Sequence, residues 1–500
     1  MIDLTINPQG LAANIARARE LGIIIPTFSA MRSQESGEAK DEVPSAITQA
    51  LQEIPMNAVN PLNLFRVSWN NDTSGHNTYG TVNYIEIPPE ITGVKAKIIC
   101  LVGKHFPTGC HKVGAAFACL VPRLVTGQIN TTTQRTVWPS TGNYCRGGVY
   151  ISRLLGCSSI AILPQGMSQE RFNWLQDMAE EVIATPGSES NVKEIFDKTK
   201  EIRATREDAY ILNQFEEMGN YLWHYTLTGR AMEGAYHHYR KHQERFAGIC
   251  LTSGSAGTLG SADYIKHIFP GVRLAVGEAL QCPTILNNGF GSHRIEGIGD
   301  KHIPWIHNVR NTDMAIGVDD NAVMELLQLF NEEAGITYLR EQVGLSPEKL
   351  ALLPLLGISG IANLLCCLKF AKYYELSEND MVFTVLTDSM EMYGSRLEEL
   401  RKEAPFDTHR AAVVFTTHLR GCDTENMLEL TMKERRRVHN LKYYTWVEQQ
   451  GKSVEELNLL WDNPEETFGK VQQQSALIDK LIQDFNQATG VTITKEVATS

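Results

Sequence analysis

Cysteine pairs spaced for a bridge or a metal are missing from this chain. Its ten cysteines are scattered over 500 residues with no C-x-x-C, and only Cys366 and Cys367 are adjacent. That spacing speaks against a zinc finger or a disulfide framework and predicts reduced, mostly buried thiols. Positive charge is scarce too: 46 Lys and Arg against 58 Asp and Glu leave a net charge of -12, the opposite of the concentrated positive field that nucleic acid requires. The one basic run, Lys433-Glu434-Arg435-Arg436-Arg437, reads as a solvated helix face. One uncharged stretch is long enough to span a bilayer, Leu350 through Leu368, where Pro354, Gly357, Gly360 and Asn363 divide the run into a short apolar strand, a turn and a helix start. That is how a buried α/β unit reads, so no membrane partner is expected. No basic residue precedes Arg17, and Pro8 and Gly10 interrupt the first turns, which fits neither a signal peptide nor a transit sequence and makes a cytoplasmic location the expectation. His237, His238 and His242 cluster, but His237 and His238 point to different sides of a helix and no carboxylate completes a ligand set. No metal site is predicted.

What is present is material for more than one core. At 500 residues with 43% hydrophobic content, two compact units plus additions are expected. Apolar β-rich runs at Lys97 to Leu101, Thr132 to Trp138, Ile160 to Leu163, Arg245 to Leu251, Arg273 to Glu278 and Met381 to Leu386 alternate with helical periodicity, the mark of an α/β fold. Ser168 is placed to cap a helix whose Phe172, Leu175, Met178, Ala179 and Val182 form a core stripe. Residues 1–56 read as a helical arm with a polar stretch from Arg32 to Glu42. Residues 401–500 read as mostly helical, with a capping box at Ser453-Val454-Glu455-Glu456 ahead of Leu457, Leu460 and Trp461.

Four turns carry the chemistry. In Phe106-Pro107-Thr108-Gly109-Cys110-His111-Lys112 a lysine follows a Pro/Gly turn and opens the helix-like run Val113 to Phe117, a placement suited to imine formation. Pro139-Ser140-Thr141-Gly142-Asn143 offers two hydroxyls, a side-chain amide and backbone donors at a strand-to-helix turn. Ser253-Gly254-Ser255-Ala256-Gly257-Thr258 joins a strand to a helix inside the βαβ unit 245–278 and presents amides to an anion. Its glycines fall as G-x-x-G-x-x-G, against a dinucleotide fingerprint, although Glu278 stands where a ribose-binding acid would. Gly357-Ile358-Ser359-Gly360 puts a serine above a sheet, either as a helix cap or as a neutral partner for a ring nitrogen.

In this order, and with Asn60-Pro61-Leu62 before them and Gly289-Phe290-Gly291-Ser292-His293-Arg294-Ile295-Glu296-Gly297-Ile298-Gly299 between the last two, the motifs resemble the pyridoxal-phosphate enzymes of the cysteine synthase family, the tryptophan-synthase-β or type II fold, over roughly residues 57–400. The resemblance implies two three-layer α/β domains with pyridoxal 5'-phosphate in the cleft between them. Residues 57–83 and 218–400 would form the large cofactor-binding domain and 84–217 a smaller domain, with helical extensions at both ends. It implies that Lys112 carries the internal aldimine and acts as base, and that Asn143 meets the phenolic oxygen. Gly254, Ser255, Ala256, Gly257 and Thr258 would hold the phosphate, with Ser359 facing the ring nitrogen. Ser140, Thr141, Gly142, Gln214 and Gly297 would hold a small amino-acid substrate. The implied reaction is β-elimination or β-replacement through an α-aminoacrylate, in a homodimer or higher homo-oligomer. A deaminating lyase on serine, threonine or a diamino acid, and a non-catalytic scaffold, are the alternatives. Cys110 and His111 replace small hydroxyl residues before the lysine, Tyr144 replaces a small polar residue, and Thr387-Asp388-Ser389-Met390-Glu391 departs from the usual Ser-Gly-Glu-Arg, so an altered substrate pocket is expected.

Overall fold

The computed structural model describes residues 1–33, 43–74, 78–140, 142–188, 191–241 and 243–492. Its strands are β1 (Tyr84–Glu86), β2 (Lys97–Val102), β3 (Arg135–Pro139), β4 (Ser158–Pro164), β5 (Glu181–Thr185), β6 (Ala209–Ile211), β7 (Arg245–Thr252), β8 (Arg273–Ala279), β9 (Met314–Val318), β10 (Asp380–Leu386) and β11 (Met427–Glu429). A larger sheet runs β1-β2-β10-β7-β8-β9-β11 and a smaller one β5-β4-β3-β6. The smaller sheet is parallel throughout. The larger is parallel from β2 to β9, with antiparallel strands at both edges.

The central strands β2, β4, β7, β8, β9 and β10 are buried on both faces, which is why most of their residues are apolar. On the larger sheet Leu251, Val276, Phe383 and Val385 pack into one core. Their neighbours Cys250, Ala275, Val382 and Leu386 pack into another with the helix Ile358–Tyr373. Strand pleating with a period of two sorts them. The smaller sheet divides the same way: Trp138, Ala161 and Leu163 face the main core, and Val137, Ile160 and Ile162 face the helix Val192–Thr205.

Several expectations need correction. β1 and β2, expected in the smaller unit 84–217, pair into the larger sheet, with β2 lying against β10. β11, from the expected C-terminal extension 401–500, is that sheet's other edge. Leu353–Leu355 is a 3-10 turn, not a strand; Pro354 has no N–H to give a ladder. The helix expected to run to Val182 stops at Met178, and Val182 lies in β5. Ser168 stands at the N-cap without a capping bond; its Oγ accepts from Arg171 Nη1 at 3.1 Å. The polar stretch 34–42 and His242 lie outside the described residues. Among the described residues no group of three His, Cys, Asp or Glu side chains is placed to hold a metal, and no single helix is long and apolar enough to cross a membrane.

The capping box forms, with Glu456 N to Ser453 Oγ at 3.0 Å and Ser453 N to Glu456 Oε2 at 2.8 Å. The last long helix, Lys470–Thr489, clasps the N-terminal arm. Asp479 accepts from Phe28 N (2.6 Å) and Ser29 N (3.0 Å), and Asn486 exchanges two bonds with the backbone of Ile25.

Candidate active site

Three turns converge where the two sheets meet. In the first, Thr108 and Gly109 both take left-handed backbone, at φ 67 and 70. That conformation is costly for a β-branched residue, and a bond from Thr108 N to Asn57 Oδ1 (2.7 Å) accompanies it. The chain then enters the helix Lys112–Val125 with Lys112 as its first residue. Lys112 Nζ donates to Ser255 Oγ at 3.0 Å and to Gln214 Oε1 at 3.4 Å. Gln214 Nε2 donates to Ser140 Oγ at 3.2 Å. Asn220, buried beneath, donates Nδ2 to Ser255 Oγ and to the Gln214 carbonyl, both at 3.0 Å.

Lys112, Ser140, Gln214 and Ser255 line one cleft, together with Asn143, Gly254, Ala256, Gly257, Thr258 and Gly297. Gly142 adjoins it at the N-cap of the helix Asn143–Leu154, at φ 152, its N–H donating to Ser140 Oγ at 3.1 Å. Ser359 is one layer back, the second residue of a helix capped by Gly357; its Oγ lies 4.0 Å from where a Cβ on Gly297 would be. Thr141 lies outside the described residues. Glu278 faces away from the cleft: its carboxylate accepts from Ile285 N (2.8 Å) and Leu286 N (2.7 Å), and burial pushes it up to about 7.

The loop Gly254–Thr258 is an anion cradle. Among the described residues its five backbone N–H groups make no hydrogen bond to the protein, while the next three, from Leu259 on, turn back onto Ala256, Gly257 and Thr258. Ala256 sits at φ 63, and such alternation of backbone hand turns successive N–H groups to one side as a nest at the helix start. A side chain at Gly254 would meet the Gly297 carbonyl at 2.6 Å, so the loop packs directly on Gly297 and Ile298. Asn143 Oδ1 is buried without a partner. An amine, a nest of backbone N–H groups and an unsatisfied amide around one cleft fit a phosphorylated aldehyde held as an imine.

Sequence reasoning missed Asn363 as a lining group. Asn363, one helical turn after Ser359, stitches β7 to β10 by accepting from Thr252 N and donating to the Val385 carbonyl, both at 2.7 Å; the i, i+4 spacing was its signal. His111 also lines the cleft. Burial, then the neighbouring Lys112 charge, push its ring down to about 3, and neither ring nitrogen has a hydrogen-bond partner. It is therefore a neutral ring packed on His224 and Trp69. Burial raises Cys110 to about 12 and Tyr144 well above the usual phenol range, so neither ionises near neutrality. Asp388, just beyond the cavity-lining Thr387, holds Asn143: Nδ2 donates to its Oδ2 at 2.6 Å.

Paired α/β layers with a lysine, an anion nest and a hydroxyl-rich turn between them define the type II class of pyridoxal-phosphate enzymes. The chain belongs to the pyridoxal-phosphate-dependent enzyme family, whose model matches residues 88–338, half of its length. A cysteine synthase of Staphylococcus aureus is 29% identical over 266 residues, 52% of this chain and 75% of the relative. The cystathionine beta-synthase of Saccharomyces cerevisiae is 23% identical over 335 residues, 64% of this chain and 62% of the relative. The fold matches the crystal structure of a hydrogen sulfide-producing enzyme from Fusobacterium nucleatum with a TM-score of 0.53 at 20% identity, over 62% of this chain and 95% of that one. The cofactor of this chain is pyridoxal 5'-phosphate.

Proposed function

We propose that this enzyme catalyses β-elimination or β-replacement on a small amino acid bearing a leaving group at Cβ. The observation that carries the reading is the bonded series Ser255–Lys112–Gln214–Ser140, which sets one amine between the anion cradle and the Ser140–Asn143 turn. When bound, pyridoxal phosphate supplies an electron sink for charge developing at the substrate α carbon. The chain's own residues do the rest. The N–H groups of Gly254 through Thr258 would hold the phosphate, while Ser140 and Gln214 would present donors to the substrate carboxylate. Lys112 Nζ holds the cofactor and, once displaced, takes up the α-proton. Ser359, a neutral hydroxyl behind Gly297, leaves the ring nitrogen uncharged, which favours loss of a β-substituent over amino-group transfer. The neutral His111 and Tyr144 put no charge on their part of the cleft wall, which Asp300 also lines.

Purified protein given pyridoxal phosphate is expected to gain a visible absorption band that Lys112→Ala abolishes. O-acetylserine, serine or cysteine should then shift the band, with a thiol substrate incorporated into product. A wild-type protein that gains no band overturns the reading. Release of ammonia and a keto acid with no use of any thiol replaces it by the deaminating alternative.

A further inference from the structure

Asn143 is held from the opposite side of the cleft. Its Nδ2 donates at 2.6 Å to Asp388 Oδ2, and its Oδ1 has no partner although buried. Asp388 follows β10 of the larger sheet, whereas Asn143 opens a helix packed on the smaller sheet. The same Oδ2 accepts from Tyr393 OH at 2.8 Å and lies 3.6 Å from Arg171 Nη2, which itself donates to Tyr393 OH at 3.0 Å. Arg171 also pairs with Glu296, and Glu296 with Arg396. Arg171 comes from the helix Gln169–Met178 beside the smaller sheet. Asp388, Tyr393, Glu296 and Arg396 come from the unit of the larger one.

A primary amide left alone in a cleft can turn end for end, presenting either an acceptor or a donor. A carboxylate facing it accepts only, so the nitrogen end must face Asp388. One N–H of Nδ2 is then spent on Asp388 and the second remains for a ligand in the cleft, on a side chain whose swing is fixed. We propose that Asp388 is a positioning residue that sets the orientation of Asn143 toward the cofactor's ring oxygen, and that Arg171 and Tyr393 hold Asp388 in place for this. The inference rests on the reading above, in which Asn143 meets that oxygen. Its consequence is that the donor is set only while the two sheet units are in contact, because amide and carboxylate come from different units.

Burial pushes the Asp388 carboxyl up from the usual carboxylate range, the buried Arg171 and Arg146 oppose that rise, and Tyr393, Cys110 and the Arg171 partner Glu296 complete its surroundings. Arg146 gives Nη1 to Met392 Sδ at 3.0 Å and stacks on Trp174. Loss of the Asp388 charge therefore leaves Glu296 as the partner of Arg171 and removes a nearby anion from Arg146.

The test is a double-mutant cycle read by cofactor affinity and by the pH midpoint of the visible band of the loaded protein. Asp388→Ala is expected to weaken cofactor binding about 10-fold to 100-fold, the effect of losing one charge-assisted hydrogen bond. It should also lower the band's pH midpoint, because a nearby carboxylate favours a protonated imine and its removal disfavours one. Asp388→Asn, which keeps the acceptor and removes the charge, should restore most of the affinity and leave the midpoint low. In an Asn143→Ala background neither change at 388 should cost further affinity. Additive losses in that background, or wild-type affinity in Asp388→Ala, overturn the proposal. If Asp388→Ala does not fold, the Asp388→Asn arm of the cycle decides, with the midpoint as readout. Wild-type protein that binds no cofactor instead refutes the functional reading beneath it.

Discussion

Gly257→Ala isolates how far the anion cradle depends on the packing below it. An added Cβ would come 2.0 Å from Asn220 Oδ1 and 2.6 Å from its Cγ, well inside the 3.0 Å that real contacts respect. The clash is one of volume, not conformation, since Gly257 is not among the residues at positive φ. Asn220 has no exposed surface and sits in the helix Met218–Trp223, so relief requires breaking its bonds to Ser255 Oγ and the Gln214 carbonyl. Overpacking of this kind costs about 1–3 kcal/mol and each lost neutral hydrogen bond about 1 kcal/mol. A total of about 3–5 kcal/mol corresponds to roughly a hundredfold to a few thousandfold in an equilibrium constant. Because the displaced atoms support the cradle and Lys112, most of that loss should fall on cofactor affinity, measured by titrating the visible band alongside a denaturant unfolding curve. Gly257→Ala/Asn220→Ala removes the overlap and should recover part of the affinity. Wild-type affinity and an unchanged unfolding midpoint in Gly257→Ala would refute the argument.

Lys442 is fully buried, donates to the Trp305 and His307 carbonyls, and is lowered by burial from 10.5 to about 7. Between those values the unfolded chain binds the extra proton, so stability should rise from about pH 7 toward pH 10 and Lys442→Met should flatten the rise, as unfolding curves across that range would show. Asp479→Ala removes the acceptor for Phe28 N and Ser29 N. It should cost about 1 kcal/mol and expose the N-terminal arm first, seen as faster hydrogen exchange or proteolysis before residue 34 at unchanged protection of β7.

The site was legible because its chemistry is written in local words. The lysine after a Pro/Gly turn, the glycine-lined cradle and the hydroxyl turn each depend on neighbours a few residues away, and all three open onto one cleft. What escaped depends on distant partners. Lys97 pairs with Met381, and nothing within β2 says that its parallel neighbour follows it by nearly three hundred residues, so β2 was assigned to the wrong unit. Asp388 was noticed only as a departure from a familiar string; its bond to Asn143 spans 245 positions. Val182 continued a helical stripe by period, yet β-branched Val182 and Ile183 pair with β4, where tertiary pairing outweighs periodicity.

Phe28 and Asp479 are 451 residues apart in sequence yet share a hydrogen bond. At synthesis rates of about 5–20 residues per second the arm would wait roughly 20–90 s on the ribosome for the helix that secures it. Apolar Ile23, Ile25 and Phe28, all buried in the finished fold, have only earlier-made partners such as Phe117 throughout that interval. A premature stop ahead of Lys470 would leave the part of that surface covered by the helix Lys470–Thr489 exposed.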